Sequence, residues 1–394
     1  MAVMMTRLTR GLRASRALRR VTLALALGFG SLAGGAALAA DGETVGPLFA
    51  DLYADPGNVD LNIAYAQRAE SRGEYRKALT TYERVLLIDP SNAAARKGMS
   101  RMRFLLAPNF TNFRFTIGGG FESNPIQRPD FAPQPSSGFG ALALTMRDER
   151  RIGRLRWRTN AFGGADIFTH TPEVTTIYAG GDVGPLIQLS PSITLRPSVV
   201  GTYRTLDGVS LFGEAGGALE LEGYLDGARQ SVRLGAVWRE YGSDWVSDGG
   251  IVVDLTGHFA RAGLLSPRDT LIVRPNARYS GVENANGVLI PENFEPGKYF
   301  QIGGRVDYRF AFTERLSAGV EMAIYQRWFE DEVTAGGDKR SDTYFAPGAS
   351  VRIGDILTEA ADVTLGYRYE VTQSNDPGRE FDNHVVSARF GVNF

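Results

Sequence analysis

The segment that decides the fold is KYFQIGGRVDYRFAF, Lys298 to Phe312, in which the polarity of the side chains alternates from one residue to the next. One face carries mainly aromatic and aliphatic side chains: Phe300, Ile302, Gly304, Val306, Tyr308, Phe310 and Phe312. The other face carries Gln301, Gly303, Arg305, Asp307 and Arg309. Alternation of this kind has the period of a β-strand. The run exceeds the five or six residues usual in strands and reaches the length of about 9–11 residues that a strand needs to cross a bilayer.

The same alternation recurs along the chain from Asn112 to the last residue. Fourteen such segments are present, and they begin near Phe113, Phe139, Arg154, Thr175, Ile193, Val209, Arg229, Ile251, Asp269, Lys298, Leu316, Asp342, Ala361 and Phe381. A sheet of antiparallel strands that closes on itself leaves no unpaired edge. We therefore predict a mainly β fold, a 14-stranded antiparallel transmembrane β-barrel that covers residues 109–394.

The connections between these segments support a barrel that crosses the outer membrane. The first connection, SNPIQRPDFAPQPSSG, and the ninth, GVENANGVLIPENFEPG, are long, whereas the second, DERRIG, and the tenth, TER, are short. Outer-membrane barrels alternate long outer loops with short periplasmic turns. This alternation places both ends of the barrel in the periplasm, although the fifth connection, near LDG, is short where a long loop is expected.

The N-terminus has the parts of a secretory signal peptide, which we assign to residues 1–39. Residues 1–20 contain six arginines and no acidic residue, and the apolar stretch VTLALALGFGSLAGG follows them. Ala37, Leu38 and Ala39 then form a small-x-small cleavage pattern. A mitochondrial presequence is also rich in arginine, but the unbroken apolar core favours secretion. The chain has no cysteine, so it contains no disulfide and no thiolate site.

Residues 40–108 have helical rather than strand periodicity. The tetrapeptide DPGN, Asp55 to Asn58, returns as DPSN, Asp89 to Asn92, so that the two prolines lie 34 residues apart. This is the period of the tetratricopeptide repeat. One complete unit matches that repeat at its small, turn, aromatic and terminal-proline positions: Ala66, Gly73, Tyr75, Ala78, Tyr82 and Pro90. The sequence thus predicts a short tetratricopeptide-like helical domain.

Two roles are open for this helical domain. By resemblance to the repeat, a peptide-binding groove would use Asp60, Ile63, Gln67, Glu70 and Ser71 on the first helix. The alternative is a structural cap at the mouth of the barrel. Because a single repeat cannot bury its own apolar faces, the flanking half-units or another surface must cover it.

The charged face of the strands should line the interior of the barrel. We expect a basic wall there, formed by Arg154, Arg156, Arg158, Arg274, Arg278, Arg305, Arg309 and Arg368. Acidic residues with the same alternation accompany them, so one interpretation is a set of arginine–carboxylate pairs that braces the wall. The other interpretation is a positive path for an anionic or acidic passenger.

Several function classes lack their sequence features. The chain has 43 basic and 44 acidic residues, and no basic stripe indicates nucleic-acid binding. Its three histidines, His170, His258 and His384, are scattered without the spacing of metal ligands. The glycine-rich stretch at Gly118 lies inside a strand and does not precede a helix, so it does not fit a phosphate loop. We expect no enzyme activity, no cofactor and no metal.

The order of signal peptide, repeat and barrel resembles the Slam-type family of surface lipoprotein assembly modifiers. The barrel opens with GGGFESNPIQRP, Gly118 to Pro129, and the stretch from Phe121 to Asn124 carries the local resemblance. The resemblance implies an outer-membrane barrel with its helical domain in the periplasm, which helps a specific protein or lipoprotein client reach the cell surface. We also expect the protein to be a monomer. The alternative is a polysaccharide-export barrel or solute porin with a periplasmic repeat domain.

The chain ends within an alternating segment, SARFGVNF. Phe390, Val392 and Phe394 share the apolar face of this predicted last strand. A terminal aromatic residue resembles the signal that the barrel assembly machinery recognises, so we expect these three residues to act in insertion. We also expect the last strand to pair with the first strand, near Phe113 to Phe121, and so close the barrel.

Overall fold

The chain forms a closed antiparallel barrel preceded by helices. A computed structural model describes residues 52–106, 109–190, 192–225, 228–242, 249–282 and 297–394. Within these ranges fourteen strands pair in sequence order, and the first strand pairs with the last. The predicted fold class is confirmed. The predicted signal peptide, residues 1–39, lies outside the described residues.

The strands are 13 to 18 residues long. Their bounds are β1 Phe110–Glu122, β2 Ser137–Ile152, β3 Leu155–Phe168, β4 Thr176–Ser190, β5 Ile193–Leu206, β6 Val209–Leu225, β7 Ala228–Tyr241, β8 Gly250–Ala262, β9 Asp269–Gly281, β10 Lys298–Ala311, β11 Leu316–Val333, β12 Lys339–Gly354, β13 Ala361–Ser374 and β14 Phe381–Asn393. Each predicted strand begins within about three residues of the observed start, because alternation is a local property that sequence shows directly.

We name the two ends of the barrel by whether the first and last strands begin and end there. The terminal end is where β1 begins at Phe110 and β14 ends at Asn393, and the other is the loop end. The longest described connection, residues 123–136, lies at the loop end, where β9 also ends at Gly281 and β10 begins at Lys298. The fifth connection is also there, yet it is a two-residue turn in which Asp207 and Gly208 have φ of 50° and 76°. Two successive positive φ values match the twist of a tight hairpin, which explains this short connection.

The alternating side chains separate into an apolar exterior and a polar lumen. Large apolar side chains that project outward are exposed around the barrel, among them Phe115, Leu144, Leu219, Val320 and Leu365. The opposite face of the same strands carries arginines and carboxylates that bond to one another. A barrel with this distribution suits hydrocarbon outside and water inside.

The seam between β1 and β14 is fully paired. Nine cross-strand pairs extend from Arg114 opposite Asn393 to Glu122 opposite Val385. The last residue extends the ladder, because the Phe394 N–H donates to the Phe113 carbonyl at 2.8 Å and the Phe113 N–H donates to the Phe394 carbonyl at 3.2 Å. The predicted pairing of the first and last strands is therefore present, and it includes the chain terminus.

Three helices with described bounds precede β1: α1 Val59–Ser71, α2 Tyr75–Ile88 and α3 Ala93–Leu106. Residues 52–54 are also helical. Tyr82 of α2 is buried and its ring lies against Gly98 of α3, where a Cβ atom would come within 2.3 Å of the ring. This close approach requires glycine at position 98. Burial next to the Glu70 carboxylate also raises the pKa of the Tyr82 hydroxyl, which donates to Glu70 at 3.0 Å.

None of the described helices is both long enough and apolar enough to span a membrane.

Deletion of Phe394 should lower the amount of inserted barrel severalfold, because it removes two backbone hydrogen bonds from the seam, and unpaired backbone groups are costly in hydrocarbon. The measurement is the quantity of heat-modifiable barrel in the membrane fraction. Phe394→Ala is the comparison variant: it keeps both backbone bonds and removes the ring, so any loss of insertion that it shows measures the contribution of the aromatic side chain. Insertion of the deletion variant at the level of the unmodified chain would contradict this prediction.

Candidate functional site

Ion pairs between arginines and carboxylates fill the half of the lumen that lies against β2 to β6. In the wall formed by β2 and β3, the Glu149 carboxylate accepts hydrogen bonds from Arg147 at 2.6 Å and from Arg158 at 2.7 Å. It also forms an ion pair with Arg156 at 2.9 Å. Arg158 continues to Glu222 of β6 at 2.8 Å, so the pair passes over β4 and β5. The side chains of Arg158 and Glu149 are 8% and 4% exposed, which shows that this part of the lumen is closely packed.

A second set of charges continues the filled half on β4, β5 and β6. Arg196 is 1% exposed and bonds to Asp182 of β4 and to Glu220 of β6, the latter at 2.9 Å. Asp182 also accepts from Arg233 of β7 at 3.3 Å. Buried charges are tolerated when each has a partner of opposite sign. These contacts therefore form a braced wall and support the first of the two interpretations of the basic residues.

The other half of the lumen is open. A cavity of about 830 Å³ lies against β6 to β13. Small side chains such as Ser231, Ala323 and Ala346 contribute to its lining and leave room for it. Seven arginines and four carboxylates also line it: Arg229, Arg233, Arg274, Arg278, Arg305, Arg327 and Arg368 with Glu220, Glu321, Asp342 and Glu370. The cavity is therefore polar and carries more cationic than anionic side chains.

Most of the cavity arginines have a carboxylate partner, yet they remain accessible. Arg278 donates to Asp254 at 2.7 and 3.1 Å and its side chain is 29% exposed. Arg368 donates to Glu370 at 2.6 Å and is 36% exposed. These guanidinium groups have one side on a carboxylate and another toward the cavity, in contrast to the enclosed Arg158.

Arg327 and two tyrosines, Tyr325 and Tyr344, line one part of the cavity. Arg327 donates to the Gln301 side-chain oxygen at 3.2 and 3.0 Å, and its guanidinium lies 4.6 Å from the centre of the Tyr299 ring. Tyr325 and Tyr344 lie next to each other, with ring centres 6.0 Å apart. Arginine over an aromatic face is a stable arrangement in a partly dry site, so these contacts fix the guanidinium in the wall.

The eight predicted wall arginines divide into four groups. Arg274, Arg278, Arg305 and Arg368 line the cavity. Arg156 and Arg158 belong to the filled half. Arg309 lies near the terminal end and lines a separate cavity of about 260 Å³. Arg154 lies in the exposed turn between β2 and β3 and not on a strand.

Sequence reasoning missed Arg229, Tyr325 and Tyr344 as cavity residues. Arg229 shares the alternation of Arg233 on the same strand, and this parity could have identified it. The tyrosines alternate in the same way with Arg327 and Asp342, but aromatic residues favour strands for many reasons. Neither pattern indicates which part of the lumen is open, because the open part depends on ion pairs between residues of strands that are not neighbours.

The five predicted groove residues lie on α1 and differ in their surroundings. Asp60 and Gln67 are exposed, and Ile63 is half-buried. Glu70 accepts from Arg101 at 2.8 and 2.9 Å in addition to Tyr82. The Ser71 hydroxyl donates to the Arg68 carbonyl at 2.8 Å. The polar groups of Glu70 and Ser71 are thus already engaged inside the helical segment.

The three residues predicted to act in insertion lie on or just after β14. Phe390 is opposite Ile117 of β1, Val392 is opposite Phe115, and Phe394 extends the same face with its side chain 70% exposed. All three therefore point to the apolar exterior.

Within the described residues, no three acidic or histidine side chains lie close enough together to hold a metal ion. His258 is on the lumen side beside the cavity, whereas His384 is exposed and its Nδ1 lies 2.8 Å from the Tyr367 hydroxyl.

Three solved structures are similar to this chain in fold. The outer membrane channel DcaP of Acinetobacter baumannii covers 73% of this chain and 98% of its own, with 9% identity and a TM-score of 0.45. A bacterial polysaccharide outer membrane secretin covers 73% and 99%, with 13% identity and a TM-score of 0.40. A BenF-like porin from Pseudomonas fluorescens Pf-5 covers 73% and 100%, with 9% identity and a TM-score of 0.38.

No protein-family model matches the chain, and no curated protein matches it. The resemblance to the surface lipoprotein assembly modifiers therefore stays a prediction from sequence.

The Glu149 cluster provides a direct test of the braced wall. Glu149→Gln should destabilise the barrel by about 3 kcal/mol, because it removes the buried negative charge on which three arginines converge and leaves Arg158 with Glu222 as its only carboxylate. The measurement is urea unfolding in detergent. Asp148→Asn is the control, since the neighbouring Asp148 pairs with the 63% exposed Arg150 and such a pair contributes little. Equal stability of the two variants would contradict the prediction.

Proposed function

We propose that this protein is an outer-membrane channel for small hydrophilic solutes, with a preference for anions. The observation that carries the proposal is the polar cavity of about 830 Å³ inside a closed barrel. A cavity of this size lies within the range of small-molecule sites, about 300–1,000 Å³. The proposal corresponds to the solute-porin alternative from the sequence.

The membrane location rests on two features of the chain. The exterior of the barrel is apolar around its circumference, so it needs hydrocarbon or an equivalent surface. The N-terminal sequence has the arrangement of a secretory signal peptide. Together they support export followed by insertion into the outer membrane, with the terminal end of the barrel and its helices in the periplasm.

The preference for anions follows from the charges at the cavity. Arginines outnumber carboxylates in its lining, and their guanidinium groups remain partly exposed. Side chains of one sign in a narrow passage raise the local concentration of ions of the other sign. The filled half of the lumen takes no part in this, because Arg158 and Arg196 are enclosed by their carboxylates.

The purified chain in a planar bilayer should give single-channel current steps. Under a KCl gradient the reversal potential should have the sign of anion preference, because chloride is attracted to the cavity arginines. Arg274→Gln combined with Arg305→Gln should shift the reversal potential toward zero. Preference for potassium in the unmodified channel, or no current steps at all, would contradict the proposal.

Protein translocation is the second candidate, and the helical segment is the observation that favours it. The helix–turn–helix at Gly73 and the packing of Tyr82 on Gly98 are consistent with a tetratricopeptide-like unit that binds a periplasmic client. The size of the lumen argues against passage of a folded client. A domain of about 100 residues has a radius of gyration of about 13 Å, which is too large for an open cavity of about 830 Å³. We infer that a client would have to pass unfolded.

Deletion of the gene followed by surface proteomics separates the two candidates. The channel function predicts unchanged surface proteins and slower uptake of small anions. Loss of one specific surface protein or lipoprotein, with unchanged uptake, would favour translocation and contradict the channel.

A further inference from the structure

Four basic residues of the open half lie side by side on consecutive strands. Arg229 is on β7, His258 on β8, Arg274 on β9 and Arg305 on β10. We call these four residues the basic strip. Arg274 is directly opposite Arg305, Ser231 is directly opposite His258, and the register on either side of His258 places it beside Arg274. All four line the cavity, so the strip is continuous on the wall of the lumen.

The pairing of Arg274 with Arg305 is unfavourable by itself. Like charges directly opposite each other in an antiparallel pair are destabilising. Here both guanidinium groups bond to one carboxylate, Asp307, and Arg305 also bonds to Glu321. The two side chains are 40% and 37% exposed, so each has donors that remain accessible from the cavity.

Arg229 adds a guanidinium with no carboxylate partner. It makes no hydrogen bond or ion pair with any part of the chain that the structure describes, and it is exposed at the start of β7. It lies two residues along the strand from Ser231, which is opposite His258, so Arg229 is a diagonal neighbour of His258. Diagonal neighbours in a sheet are about 7–8 Å apart, within reach of long side chains.

We infer that the basic strip is a binding site for an oxyanion, a carboxylate or phosphate group, carried by a permeating solute. Arginine donors form paired hydrogen bonds with both kinds of group. An oxyanion at the strip would supply the acceptor that Arg229 lacks and would share the two opposed guanidinium groups with Asp307. This inference rests on the proposed channel function and adds a saturable site to it.

The strip has a matched control on the same wall. Arg309 is on β10, four residues after Arg305 on the same face, and it also lacks an ion pair within the described residues. It lines the separate smaller cavity and not the open one. Arg309→Gln and Arg229→Gln therefore remove the same charge from the lumen, but they differ in whether the charge belongs to the strip.

The test is the block of chloride current through single channels by inorganic phosphate and, separately, by acetate. Either anion should block the current in a saturable way, and block by one alone identifies the source of the oxyanion. Arg229→Gln should weaken the block about tenfold, as expected for loss of a charged hydrogen-bond donor. Arg309→Gln should leave the affinity unchanged.

A second variant should change the affinity for the blocking anion in the opposite direction. Asp307→Asn removes the carboxylate that competes for Arg274 and Arg305, so the affinity for phosphate or acetate should rise. Heat modifiability of the variant in detergent confirms that the barrel is closed before currents are compared.

The outcomes separate this inference from the proposed function. A conducting channel whose current neither anion blocks overturns the oxyanion site and leaves the channel function intact. Equal weakening by Arg229→Gln and Arg309→Gln also overturns it, because general lumen charge would then explain the block. Absence of any conductance overturns the channel function itself.

Discussion

The structure depends on closure of the sheet at the seam between β1 and β14. Unpaired backbone groups in hydrocarbon are costly, so strands that cross a bilayer must pair on both sides. The seam satisfies this requirement through nine cross-strand pairs and the two backbone bonds of Phe394. Closure also has a consequence for the side chains. Because every second residue points inward, the charged face of each strand is confined to a lumen in which its charges must be paired or solvated.

The two halves of the lumen meet this demand in different ways. On the side of β2 to β6, arginines such as Arg158 and Arg196 are enclosed by carboxylates and fill the space. Removing one member of such a cluster costs more than the pair itself contributes, so this half acts as a fixed wall. On the side of β6 to β13, small residues such as Ala323 leave a cavity, and the arginines there keep one face toward it. The same residue type therefore braces one half and remains available to solutes in the other.

The sequence alone predicted the strands of the barrel, but it did not predict which part of the lumen is open. The alternation in Lys298 to Phe312 and its counterparts gave the strand number and the strand starts, because a period of two residues is visible without knowledge of partners. The division of the lumen was not predictable, since Arg158 meets Glu222 across two intervening strands. The short fifth connection contradicted the expected loop length, but its Asp207–Gly208 pair is typical of a tight hairpin turn.

The central claim, a closed barrel with one open and one filled half, has a direct test because the chain contains no cysteine. Single cysteines would replace Ala323 in the cavity, Ser198 in the filled half and Val306 on the exterior. A charged, membrane-impermeant thiol reagent applied to the protein in native membranes should label Ala323→Cys. It should not label Ser198→Cys, which is packed, or Val306→Cys, which faces lipid. Equal labelling at Ala323 and Ser198, or labelling at Val306 without labelling at Ala323, would contradict this account of the lumen.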